Sequence, residues 1–319
     1  MRASITHVYG RDFGLGTQVW LEDPLFRGKY TGNPSLSTVV SSYMISLRRR
    51  KVRAGYVVTS ARAIDEATIK AMFLFNEVFP AEVSRQQITR QWKEAHPEYW
   101  GGRNMRIMLQ WLDLSAFLCL LRYDEALHLQ WHHIHFEKLG DNKFRIRIEL
   151  PFRKTHQNGG CAPFVLYNNP EKPWMCPIRA FAMWSQTCSQ LSIPREGYVF
   201  RKRVGFDNFS ANPEDVMSIF RRQARCSWNA SGTICIDPRP YGTHSFRRGG
   251  CQYLAMVLRW PIRNICTWGG WSENFNSGTI FKYLLSWTDA PLIDREDYMN
   301  PDRPAGEICH ACGRSCSCA

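Results

Sequence analysis

The 319-residue sequence has no long apolar run and no surplus of acidic side chains. Its longest apolar stretch, Leu112 to Leu121, carries Asp113 and Ser115 and falls well short of the roughly 20 residues needed to cross a bilayer, so no membrane-spanning helix is expected. No signal-peptide pattern opens it, and its twelve cysteines are scattered through apolar segments such as FLCLL, so reduced thiols in an intracellular compartment are expected. Internal repeats and long low-complexity tracts are also missing, which excludes solenoid and tail-like chains.

What is present is core-forming material and positive charge. Apolar side chains make up 44% and aromatics 13%, enough for one large or two ordinary domains. Lysine and arginine number 41 against 28 acidic residues, and the formal charge of +13 points to a polyanionic partner or to a basic soluble enzyme. The clusters RRRK at Arg48 to Lys51 and RKR at Arg201 to Arg203 fit nuclear import signals, solvated faces or DNA-facing surface equally well.

The periodicity reads as a mainly helical chain with a small β element, an α+β fold. In NPSLSTVVSSYMISLRRR, Asn33 caps and Pro34 starts a helix whose apolar face carries Val39, Val40, Tyr43, Met44 and Leu47. A second helix spans about Asp65 to Phe79, and GGR at 101 to 103 is a hinge. Residues 105 to 121 are apolar almost all round, as in a helix buried on most sides. FRIRIELPFRK alternates Phe144, Ile146, Ile148, Leu150 and Phe152 with polar neighbours and, with APFVLY, predicts a β-hairpin with Lys154 and Thr155 near its tip. Further helices are expected from Pro177, over PEDVMSIFRRQAR, and from Phe246 onward. The resulting domains are a poorly defined segment 1–32, a helical domain 33–102, a larger domain 103–290 and a cysteine-rich tail 291–319.

Four pieces of charged text stand apart from the core pattern: Arg122 at the end of the buried helix, Lys154 on the hairpin, His244 with Arg247, and GGWSENFNSGTIFKY at 269 to 283. Singly each has a structural explanation. Arg122 can cap its helix and pair with Glu125, Lys154 can be a solvated turn lysine, and Trp271 and Tyr283 can be core aromatics. Together they suit phosphoryl transfer without a metal or cofactor. Two arginines clamp phosphodiester oxygens, a lysine protonates a leaving 5′ oxygen, a tyrosine forms a covalent ester, and histidine and the indole N–H complete the donors.

LLRYDEAL at 120 to 127, LPFRKTHQNGG at 150 to 160, YGTHSFRRGG at 241 to 250 and GGWSENFNSGTIFKYL at 269 to 284 resemble, in content and order, the tyrosine recombinase (phage-integrase-like) family. SYMISLRRRKVRAG at 42 to 55 and SARAI at 60 to 64 bring the wording closer to the recombinases of fungal Crypton-type mobile elements. The resemblance covers about residues 35 to 300. It implies Arg122 and Arg247 as phosphate clamp, Lys154 as general acid, His244 as acid/base or donor, Trp271 as a donor, Tyr283 as nucleophile, and Glu125 as the acidic residue that orients the site.

It also implies a helical DNA-binding domain and a catalytic domain that close around double-stranded DNA, a homo-oligomer (dimer or tetramer) on that DNA, no membrane and no cofactor. The expected location is the nucleus of a eukaryote, or otherwise the nucleoid. Arg48, Arg49, Arg50, Lys51 and Arg53 are the candidate DNA contacts. The rival readings are a type IB topoisomerase and a domesticated DNA-binding chain that does not cut.

The sequence departs from the family at the glycine that often precedes the first arginine, here Leu120 or Leu121, and at Arg248, where many members have a second histidine; Arg248 is expected to face solvent or backbone phosphates. Gly249 and Gly250 either let their helix pack closely or let DNA approach. In the tail, Cys309, Cys312, Cys316 and Cys318 include a C-x-x-C pair, a weak zinc signal.

Overall fold

Two stops in the sequence before Thr38 set the first helix of the basic segment. Asn33 caps a single 3-10 turn, Pro34–Leu36, by accepting from the Ser35 N–H at 3.1 Å. Ser37 then returns to an extended conformation and its hydroxyl accepts from the Val40 N–H at 3.1 Å, so the long helix begins at Thr38. In the computed structural model, which describes residues 2–55, 61–78, 102–151, 153, 161–205, 207–217, 241–271 and 279–284, the chain is α+β and divides into two compact units, Met1–Thr59 and Ser60–Ala319.

The first unit holds α1 (Arg2–His7), the short pair β1 (Leu21–Glu22) and β2 (Tyr30–Thr31), and α2 (Thr38–Arg53). The segment before residue 33 has definite structure. Fully buried Asn33 ties it together, its amide N–H also donating to the Gly16 carbonyl at 3.0 Å. On α2 the expected apolar face is split: Val40, Met44 and Leu47 are half-buried, whereas Val39 and Tyr43 are exposed.

The second unit begins with α3 (Glu66–Val78), capped by Asp65, which accepts from the Thr68 N–H at 2.8 Å. Its Glu66 carboxylate accepts from Trp174 Nε1 and Lys172 Nζ, both at 3.0 Å, which ties the helix to the second unit. The unit division therefore falls at Thr59, ahead of this helix, whereas the sequence places the boundary near Gly101. Gly102 and Arg103, from the expected hinge, open the central helix α4 (Gly102–Leu118), whose first turn donates to Asp207 from Asn104 N and Met105 N at 3.1 and 2.9 Å; Gly101 lies outside the described residues.

Met105, Met108, Trp111, Leu112, Leu114 and Phe117 of α4 are all buried, as the all-round apolar pattern predicts. Burying each such side chain stabilises the fold by about 1.5–3 kcal/mol. Next come α5 (Tyr123–Leu127) and a three-stranded antiparallel sheet, β3 (Ile134–Gly140), β4 (Lys143–Ile148) and β5 (Phe164–Tyr167). β4 and β5 are the expected hairpin, in register Ile146 to Leu166 and Ile148 to Phe164; β3 is a strand that the sequence pattern does not announce. Lys154 and Thr155 lie outside the described residues. Helix α6 (Pro177–Gln190) packs on α4, with Trp111 edge-on to Phe181 at 5.5 Å.

Two expectations fail between residues 201 and 217. Arg201 is no surface cation: it is fully buried and donates to the carbonyl oxygens of Asn212 (2.5 Å), Pro194 (2.8 Å) and Glu196. Residues 211–217 are not helical, because Val216 forms a bridge with Arg201; the remainder of that expected helix lies outside the described residues. The chain is described again for α7 (Ser245–Gln252), α8 (Ile262–Gly269) and α9 (Thr279–Leu284). They enclose a second, smaller core of Leu120, Cys251, Leu254, Ile265, Cys266, Trp271 and Ile280. Helix α7 and the Leu120–Leu121 turn each contribute to both cores, and the charged cluster is built there.

Candidate active site

Helix α4 ends in a left-handed turn: the Leu121 N–H donates to the Ala116 carbonyl at 3.0 Å, and Leu120 takes φ 50°. Glycine usually fills that position, and a leucine there costs on the order of 1 kcal/mol. Arg122 then runs extended into α5. Its N–H donates to Glu125 Oε2 at 2.8 Å and its guanidinium Nη1 to Oε1 at 2.5 Å.

Helix α7 brings Arg247 to the same carboxylate, Nη1 lying 3.4 Å from Oε2. Close approach of α7 makes this possible: a Cβ at Gly249 would collide with the Ile64 carbonyl, and one at Gly250 with the Phe117 carbonyl. Both glycines therefore serve packing. Arg248, expected to face solvent or phosphates, is buried on the same helix.

A third guanidinium, which the sequence pattern does not single out, completes the cluster. Arg153 Nη2 lies 3.4 Å from Glu125 Oε2 and donates to the Leu120 carbonyl at 3.3 Å. Side-chain exposure grades the three arginines: 27% for Arg122, 3% for Arg153 and 1% for Arg247, around a Glu125 that is 11% exposed. Burial alone would raise the Glu125 pKa. Arg153, the Arg122 N–H, Arg247 and the Arg122 guanidinium outweigh it and hold the carboxyl below its usual value. Three cations against one anion leave the cluster positive.

Burial lowers the Arg247 pKa to about 10, against the pull of Tyr283 and Glu125, so the group stays charged at neutral pH. Its guanidinium carbon lies 5.1 Å from the ring centres of both Trp271 and Tyr283. Those two rings stack face to face, 4.9 Å between centroids and 5° between planes. Gln252 of α7 fixes α9 by donating to the carbonyls of Tyr283 (3.4 Å) and Leu284 (3.3 Å). His244 caps the start of α7 at the solvent-exposed edge. Desolvation first, then the charges of Arg247, Arg122 and Arg248, lower its pKa and favour the neutral imidazole.

The structure thus gathers Arg122, Glu125, Arg247, Trp271 and Tyr283 into one cluster with His244 at its rim. Buried donors remain in it: Arg247 Nε, Arg153 Nε and Trp271 Nε1 have no hydrogen-bond partner among the described residues. A site with surplus positive charge and unspent donors is suited to an oxyanion. Lys154, Cys309, Cys312, Cys316 and Cys318 lie outside the described residues. In the first unit, Arg48, Arg49, Arg50, Lys51 and Arg53 are all exposed on α2. Arg49, Arg50 and Arg53 share a shallow groove with Ser42, Ile45 and Ser46.

No protein-family model matches the chain. No curated protein matches it either. Among solved structures, those similar to the chain include two complexes of the XerH site-specific recombinase. The pre-cleavage complex with difH substrate is 14% identical at a TM-score of 0.40, with 70% of this chain and 50% of that one covered. The post-cleavage complex with palindromic difH substrate is 13% identical at 0.42, with 74% and 50% covered. The chain spans about half the length of those recombinase chains, and a likeness this slight carries no argument about activity.

Proposed function

We propose that this chain is a DNA strand-breaking and rejoining enzyme of the tyrosine recombinase kind, encoded by a mobile element and assembled as a multimer on paired DNA sites. The observation that carries the reading is the convergence of Arg122, from the extended turn before α5, and Arg247, from α7, on Glu125, with Tyr283 in contact with Arg247. Two guanidinium groups share one carboxylate, and a phenol and an indole lie against one of those guanidinium groups, a set of donors and a nucleophile that chemistry on a phosphodiester can use.

The chemistry balances without an external oxidant or energy source. The Tyr283 hydroxyl attacks a scissile phosphate; the new P–O bond makes a 3′-phosphotyrosine ester as the P–O5′ bond breaks. Neutral His244 accepts the phenolic proton, and Lys154, from the resemblance, supplies the proton that the 5′ oxygen takes up. Arg122 and Arg247 stabilise the charge on the non-bridging oxygens, with Glu125 holding both in place. Attack by a 5′ hydroxyl from another strand reverses the step and rejoins the DNA.

One observation favours a second reading, a chain that binds DNA without cutting it: Arg247 is only 1% exposed, with the Trp271 and Tyr283 rings against it. A nicked suicide duplex that traps the covalent state separates the two. In EDTA, the wild type should give a protein–DNA adduct stable to denaturation, and Tyr283→Phe should give none. Arg247→Ala should bind DNA and fail to cleave it. An adduct that survives Tyr283→Phe places the nucleophile elsewhere, and no adduct with tight binding favours the second reading.

A further inference from the structure

We propose that Arg153 is the positioning residue of the arginine clamp, holding both the Glu125 carboxylate and the left-handed Leu120 turn from which Arg122 departs. The inference rests on the reading of the cluster as a DNA-cleaving site.

Strand alternation assigns Arg153 the opposite direction. Ile146, Ile148 and Leu150 are buried at every second position, so an uninterrupted strand would turn Arg153 to solvent. Instead its side chain is 3% exposed. The guanidinium lies over the Phe164 ring of β5, 5.5 Å from its centre, and a single nitrogen, Nη2, serves two acceptors on different segments. Burying a cation this completely is costly unless its contacts are specific.

Both contacts bear on Arg122. The first is to the carbonyl of Leu120, the residue with φ 50° at which α4 stops. A leucine in the left-handed region persists only where surrounding structure over-determines it, and the buried Arg153 contact supplies part of that constraint. The second is to Glu125 Oε2, the oxygen that also accepts the Arg122 N–H and faces Arg247. Arg153 therefore fixes the turn before Arg122 and the carboxylate that orients it. It also immediately precedes Lys154, the proposed general acid, in the sequence. Leu120 also fills the second core with its side chain, so the turn carries a leucine at φ 50° and Arg153 holds its carbonyl.

The test uses the full-length chain with Arg153→Met, which keeps bulk and removes donors and charge, and Arg153→Lys, which keeps charge and loses the planar fork. The Glu125 carboxyl is followed by carbon NMR against pH, assigned through Glu125→Gln, and single-turnover cleavage is measured at saturating suicide duplex. In Arg153→Met the Glu125 titration should move to higher pH, whereas Arg145→Met, which breaks the exposed pair with Glu137, should leave it in place. Cleavage should slow by about 10- to 100-fold at unchanged DNA affinity. Arg153→Lys should show the same shifts in smaller measure, and it decides the question if the Met variant does not fold. An unmoved Glu125 titration overturns the proposal, as does an unchanged cleavage rate or a loss of cleavage explained by weaker binding. A wild type that forms no adduct overturns the DNA-cleaving reading, and the Glu125 titration still decides what Arg153 holds.

Discussion

The phenol ring of Tyr283 lies flat against the indole of Trp271, 4.9 Å away, with the Arg247 guanidinium 5.1 Å from each ring. The stack gives Trp271 two separable roles, a face that orders Tyr283 and an N–H that has no partner among the described residues. Trp271→Phe keeps a face and removes the N–H. Its cleavage rate should fall by about 100-fold, while its unfolding midpoint stays near that of the wild type. Trp271→Ala loses both and should be destabilised by about 3 kcal/mol. Urea unfolding and single-turnover cleavage on the same samples check the separation, and a Phe variant with full activity would deny the indole N–H any part in the chemistry.

Gly249 and Gly250 test whether the close approach of α7 builds the site. Either Gly→Ala change forces a methyl into a backbone carbonyl and should cost about 3 kcal/mol. Gly140→Ala, where a Cβ meets open space, should shift stability by no more than about 0.5 kcal/mol. Equal stabilities across the three variants would mean that α7 does not pack as described.

Much of this arrangement is legible in the sequence. The nearly uninterrupted apolar text of 105–121 announces a buried helix, and the glycine pair beside Arg247 announces a close approach of some kind. Strand β3 is not legible, because IHFEKLG mixes charge with apolar residues and half its side chains face solvent. Arg153 is hidden for a more specific reason. Alternation from Ile146 to Leu150 points it outward, and its neighbour Lys154 has the more familiar chemistry. Arg201 shows the same limit: RKR reads as surface charge, yet its first arginine finds three carbonyl acceptors inside the fold. Composition counts cations, and only tertiary packing decides which are enclosed.

Stability should depend on pH in two opposite ways. The folded-state pKa of Glu125 is depressed, so its contribution is complete above the ordinary carboxylate value and is lost as pH falls through the folded value. Burial lifts Asp113 from 3.8 to about 8, despite a 3.4 Å bond from the Tyr123 hydroxyl. The folded state then holds a proton that the unfolded state releases, so stability falls as pH rises from about 4 to about 8 and levels off beyond. Glu125→Gln should remove the acid-side loss, and Asp113→Asn should flatten the slope toward pH 8. Denaturant midpoints measured across pH check both; curves that stay parallel to the wild type would remove these groups from the account.

The basic face of α2 should act through phosphates and without sequence preference. Replacing Arg49, Arg50 and Arg53 together by Ala should weaken binding to any duplex and reduce the slope of log affinity against log salt by about 0.9 for each phosphate that is no longer neutralised. Fluorescence anisotropy over a salt series reads the slope directly. An unchanged slope would leave this helix outside the DNA interface.

In the proposed reaction Tyr283 is the nucleophile, and Arg122 and Arg247, held by Glu125, clamp the phosphate it attacks. The most direct measurement is mass-spectrometric mapping of the protein–DNA adduct trapped on a suicide duplex, after digestion with trypsin and nuclease. A residual 3′-phosphonucleotide should remain on Tyr283. Its attachment to any other residue, or the absence of a linked peptide from DNA-bound wild-type protein, would contradict this reaction.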